Sequence, residues 1–101
     1  MTVGMAATVM VKNGRVEEAI EQQKKAAAAL EALGAQSVRT ILLTMSTPVR
    51  IVMSFEAEDQ AALGVITDKW QIDPVSQEIT ARNLGEDGTL SGYVAETYIE
   101  V

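Results

Sequence analysis

The run VGMAATVMV, residues 3–11, is apolar at its odd and its even positions alike. A strand turns odd residues to one side of its sheet and even residues to the other, so this run predicts a central strand with apolar cover on both faces. Its surroundings must therefore supply two layers. The run is far shorter than the roughly 20 apolar residues that carry a helix across a bilayer. Its basic residues, Lys12 and Arg15, follow the apolar stretch, whereas a secretory leader carries them in front. A soluble, unprocessed, cytoplasmic protein is the expectation.

Asn13-Gly14 ends the strand, and Asn13 is expected to cap a helix by accepting from a first-turn amide. Val16, Ala19, Ile20, Gln23, Ala27, Leu30 and Leu33 then recur at helical spacing, with Glu17, Glu18, Glu21, Lys24, Lys25 and Glu31 mostly opposite. Gly34 stands where a left-handed C-terminal cap wants glycine. Two extended runs follow, Ser37 to Met45 and Val49 to Glu56, and Ser46-Thr47-Pro48 between them suits a hairpin. Val49, Ile51, Met53 and Phe55 share one face of the second run; Arg50, Val52, Ser54 and Glu56 share the other. Asp59 is placed to cap a second helix carrying Ala62, Leu63, Ile66 and Trp70 on one side. Asp73-Pro74 then reads as a fresh start, an aspartate cap before proline in the first turn. That helix turns Val75, Ile79 and Leu84 inward and runs to Gly85. Glu86-Asp87-Gly88 is a polar turn, and Leu90 to Val101 alternates as a last strand.

With 101 residues, the chain fits a single domain, 1–101. The order predicts an α+β, ferredoxin-like βαββαβ fold with a split second helix, its antiparallel four-stranded sheet covered by helices on one face. The other face would carry one set of apolar residues of the first strand, with Val38 or Ile41, Leu42 or Leu43, and Val52 from the hairpin. A bare patch of that kind exceeds what soluble monomers usually expose, which predicts a homodimer.

In this element order, length, doubly apolar first strand and divided second helix with Trp70, Asp73 and Pro74 as W-x-x-D-P, the chain resembles the dimeric α/β-barrel superfamily. The resemblance covers essentially the whole chain and implies two sheets facing each other. It implies no single activity, because the superfamily holds cofactor-independent monooxygenases of antibiotic biosynthesis, haem-degrading enzymes, isomerases, decarboxylases and cyclases. The haem-degrading branch would place a histidine about ten residues after Trp70, where this chain has Thr80. The antibiotic monooxygenases place an asparagine one turn before the tryptophan, where this chain has Ile66.

The chain has no histidine and no cysteine. It therefore lacks a histidine general base, a catalytic triad and imidazole or thiolate metal ligands; no cofactor and no metal are expected. Glu56, Glu58 and Asp59 coincide with a helix start, where negative charge is favoured in any case. A net charge of −6, with eight scattered basic residues, disfavours nucleic acid.

Two readings of Trp70 stand: an anchor beneath the helix break, its indole N–H bonded to a carbonyl, or the wall of a pocket. Arg39 and Arg50 flank the hairpin, and Glu96 and Tyr98 share a face of the last strand. Trp70, Arg39, Arg50 and Tyr98 are the candidate substrate contacts. Tyr98 or Glu96 would be the proton acceptor and Arg50 the anion stabiliser of any reaction; the alternative is solvated or inter-subunit charges of little energetic weight. The leading function is a small-molecule-binding homodimer acting as a cofactor-independent monooxygenase or isomerase on a phenolic or enolisable substrate. The rival is a non-catalytic dimerisation or ligand-sensing module.

Overall fold

The computed structural model describes residues 2–45, 47–83 and 87–101. Its elements are β1 (Val3–Val11), α1 (Val16–Ala32), β2 (Gln36–Leu43), β3 (Arg50–Ala57), α2 (Gln60–Ile72), α3 (Pro74–Asn83) and β4 (Leu90–Ile99). The strands form one sheet in the order β2-β3-β1-β4, each neighbouring pair antiparallel. This is the ferredoxin-like α+β fold with a divided second helix. β1 is central, as its composition predicts. Among the described residues, no helix is long and apolar enough to cross a membrane.

The local signals act as their chemistry dictates at three helix ends. Asp59 accepts from the Ala62 amide at 2.8 Å and starts α2. Asp73 Oδ1 accepts from the Val75 amide at 2.9 Å, with Pro74 in the first turn of α3. At the end of α1, Gly34 has φ +107°, and the amides of Gly34 and Ala35 donate to the carbonyls of Glu31 and Leu30, closing the last turn.

The start of α1 differs from expectation. Arg15, not Asn13, occupies the cap position, and no side chain caps the helix. The Arg15 amide donates to the Lys12 carbonyl across a turn whose corners are Asn13 and Gly14, the latter at φ +80°. That turn uses Asn13 before the helix begins. Arg15 instead pairs with Glu18 at 2.7 Å. The strands also shift slightly: β2 ends at Leu43, β3 starts at Arg50, and β4 stops at Ile99, short of Val101. Ser46 of the hairpin turn, Leu84, Gly85 and Glu86 lie outside the described residues.

Odd residues of β1 and β3 face the helices. There Val3, Leu30, Met53, Phe55, Leu63, Ile66 and Ile79 form one buried cluster, with Trp70 packed against it. Val9, Val11, Ala19, Ile51 and Leu90 form a second. The even residues face away from the helices. Register places Ile41, Val52, Thr8 and Val94 in one row across that open face, and Arg39, Ser54, Ala6 and Glu96 in the next. Ile41 and Val94 remain 41% and 49% exposed. Within one chain, β1 thus has cover on one face only.

Candidate functional site

The two buried clusters do not merge. Over the middle of β1 the facing positions are small, Ala7 on β1, Ala95 on β4 and Ala26 on α1, and a cavity of about 220 Å³ remains between sheet and helices. Met5 and Ala7 point to the covered face yet are only half-buried, because the cavity opens over them. Phe55 and Ile79 wall one side and Val9 and Leu90 the other. Thr80, Tyr93 and Ala95 are its exposed members and mark its mouth between α3 and β4. An apolar cavity of about 150 Å³ takes up benzene, so this one has room for roughly one or two fused rings.

Its polar groups are few and neutral: Gln23, Thr67, Thr80, Asn83, the Tyr93 phenol and the Trp70 indole. No Asp, Glu, Lys or Arg among the described residues lines it. Trp70 is half-buried, and its indole N–H forms no hydrogen bond among the described residues, which corrects the expectation of a bonded anchor. The ring packs on the core and also walls the cavity, so both readings of Trp70 hold in part.

Beside the cavity, Thr89 is fully buried, its Oγ1 3.0 Å from Gln22 Oε1 and 2.6 Å from Asn83 Oδ1. A hydroxyl has one proton to give, so one contact is a donation by Thr89 and the other is satisfied when the Asn83 amide is turned to donate. The node ties α1, α3 and the entry to β4 around the cavity. Gln22 Nε2 is buried there without a partner.

The residues singled out from sequence do not assemble into one site. Trp70 walls the cavity, whereas Arg39, Arg50, Glu96 and Tyr98 all lie on the open face. Parity is the reason. Val9 pairs with Tyr93 and Gly4 with Tyr98, so the cavity tyrosine is Tyr93, and Tyr98 lies across Gly4 on the opposite side. Arg50 and Glu96 sit in different rows, level with Met10 and Ala6, two strands apart. Neither they nor Arg39 form an ion pair among the described residues. Gln23, Asn83 and Tyr93 were not foreseen as site residues. One signal did exist, since Gln23 interrupts the apolar stripe of α1 at helical spacing.

Strand order and the divided second helix together define a ferredoxin-like α+β fold with one sheet face left open. Solved NIPSNAP-type structures have this fold. A NIPSNAP family protein from Agrobacterium tumefaciens superposes with a TM-score of 0.75 at 10% identity, over 100% of this chain and 94% of that one. A NIPSNAP domain protein from Burkholderia xenovorans gives 0.74 at 18% identity, over 100% and 95%. A protein of unknown function from Bacteroides thetaiotaomicron, described as a possible oxidoreductase, gives 0.71 at 13% identity, over 96% and 95%. No protein-family model and no curated protein sequence matches the chain.

Proposed function

We propose that this protein is a homodimer that binds a small organic molecule in the cavity between sheet and helices, with Trp70 as part of the wall. The observation that carries this reading is the cavity itself: about 220 Å³ of mostly apolar space with a few polar groups, open at Tyr93. An unfilled interior supports binding over a module that only assembles. Homodimerisation is supported by the row Ile41, Val52, Thr8 and Val94, which an isologous partner would cover.

A cofactor-independent oxygenation or isomerisation is the finer reading. The described possible oxidoreductase from Bacteroides thetaiotaomicron, of the same fold, favours it. In this cavity the protein would orient and desolvate a substrate that supplies its own acidic proton, since no carboxylate among the described residues lines the wall. Arg50, Glu96 and Tyr98 would act in the space between two facing sheets, on the far side of β1 and β4 from this cavity.

Titration of the Trp70 fluorescence with phenols, quinones and bicyclic hydrocarbons tests the cavity; sedimentation at micromolar concentration tests the dimer. A saturable response is expected, with binding that calorimetry finds weakened in Trp70→Phe, together with twice the protomer mass. A monomer whose Trp70 emission answers none of these compounds sinks the reading.

A further inference from the structure

Gln23 lines the cavity at 5% exposure, as deeply buried as Asn83, whose amide is already engaged by Thr89. The Gln23 carboxamide has no hydrogen-bond partner among the described residues, yet neither polar atom is sealed off from open space as Gln22 Nε2 is. For so buried a cavity-lining residue, that open space is the cavity. A primary carboxamide presents an acceptor and a donor side by side. An entering molecule with the complementary donor and acceptor would meet both groups inside a largely apolar wall, away from bulk water.

Resting on the reading of the cavity as a binding site, we propose that the ligand is a small uncharged ring compound with a lactam-type edge. A ring C=O and its adjacent N–H would pair with the Gln23 Nε2–H and Oε1. Two observations narrow the class. A charged ligand would be desolvated without a counter-charge, because none lines the wall. The volume limits the molecule to roughly one or two fused rings. Flanking apolar surface from Met5, Met53 and Phe55 suits the ring, and the Trp70 indole suits a second acceptor.

The test compares oxindole, N-methyloxindole and indane by calorimetry and by the single tryptophan side-chain N–H signal of the ¹⁵N-labelled protein. Oxindole retains both hydrogen-bonding groups, N-methyloxindole lacks the donor, and indane lacks both. Oxindole is expected to bind about tenfold more tightly than indane and several-fold more tightly than N-methyloxindole. Gln23→Leu should erase those preferences while indane binds at least as well as before; Gln23→Met provides the same test should the leucine variant fail to fold. Equal affinities for all three compounds, or a preference that survives either substitution, overturns the lactam assignment and leaves the cavity standing. No perturbation of the tryptophan signal by any of the three overturns the binding site as well.

Discussion

Tyr98 lies across Gly4, its in-register neighbour on β1, and a Cβ at position 4 would run into both the Tyr98 ring and the Phe55 carbonyl oxygen. The glycine is there for close approach. Gly4→Ala is therefore expected to destabilise the protein by about 1–3 kcal/mol. Adding Tyr98→Ala should recover only part of that, because the Phe55 carbonyl belongs to the ladder and cannot swing away. Urea unfolding of the single and double variants checks both statements.

Thr89 is the hinge of the buried polar node, and Thr89→Val keeps its shape while removing the hydroxyl. Gln22 Oε1 and the Asn83 amide would then both lose their partner inside the protein. A loss of about 1–3 kcal/mol is expected. Since Asn83 also lines the cavity, oxindole binding should weaken in the same variant; a loss of stability with unchanged binding would separate the node from the cavity.

Val94 and Ile41 end the apolar row of the open face, and Arg39 and Glu96 end the neighbouring row on opposite edges. In a two-fold pair that stacks β2 of one protomer on β4 of the other, each arginine meets the opposite glutamate. In the proposed homodimer, Val94→Asp should raise the dissociation constant roughly a hundredfold, because the charge would be buried without a partner. Arg39→Glu and Glu96→Arg should each weaken the dimer, and the pair together should restore it by about 1 kcal/mol. Analytical ultracentrifugation over a concentration series measures all four.

Ionic strength offers a contrast between the two surfaces. No charged residue among those described lines the cavity, so uncharged ligands should bind with the same affinity at ~0.05 M and ~0.5 M salt. In the proposed homodimer, any contribution of Arg39 facing the partner's Glu96 should fade over that range. Titration calorimetry and sedimentation at the two salt levels distinguish them.

Gly34 holds φ +107° after α1, in a conformation that L side chains rarely adopt, with open space where a Cβ would stand. Gly34→Ala is thus a purely backbone perturbation, expected to cost about 1 kcal/mol in thermal or chemical unfolding.

Most of the architecture was legible because local chemistry and periodicity agree. The doubly apolar 3–11 run placed β1 at the centre, Asp59 and Asp73-Pro74 marked two helix starts, and Gly34 marked an end. Asn13 misled because two local uses compete for it; the turn that closes Lys12 onto Arg15 leaves it outside the helix. Side-chain parity on β4 was a different matter. LSGYVAETYI is mixed on both faces, so nothing within it says whether Tyr93 or Tyr98 turns toward the helices. The answer comes from pairing Val9 with Tyr93, a contact between residues far apart in the chain. The cavity is also a property of packing: alanines at 7, 26 and 95 look like ordinary filler until register and helix docking bring them over one another. Local spacing reaches only a few residues along the chain, whereas empty volume depends on how distant segments meet.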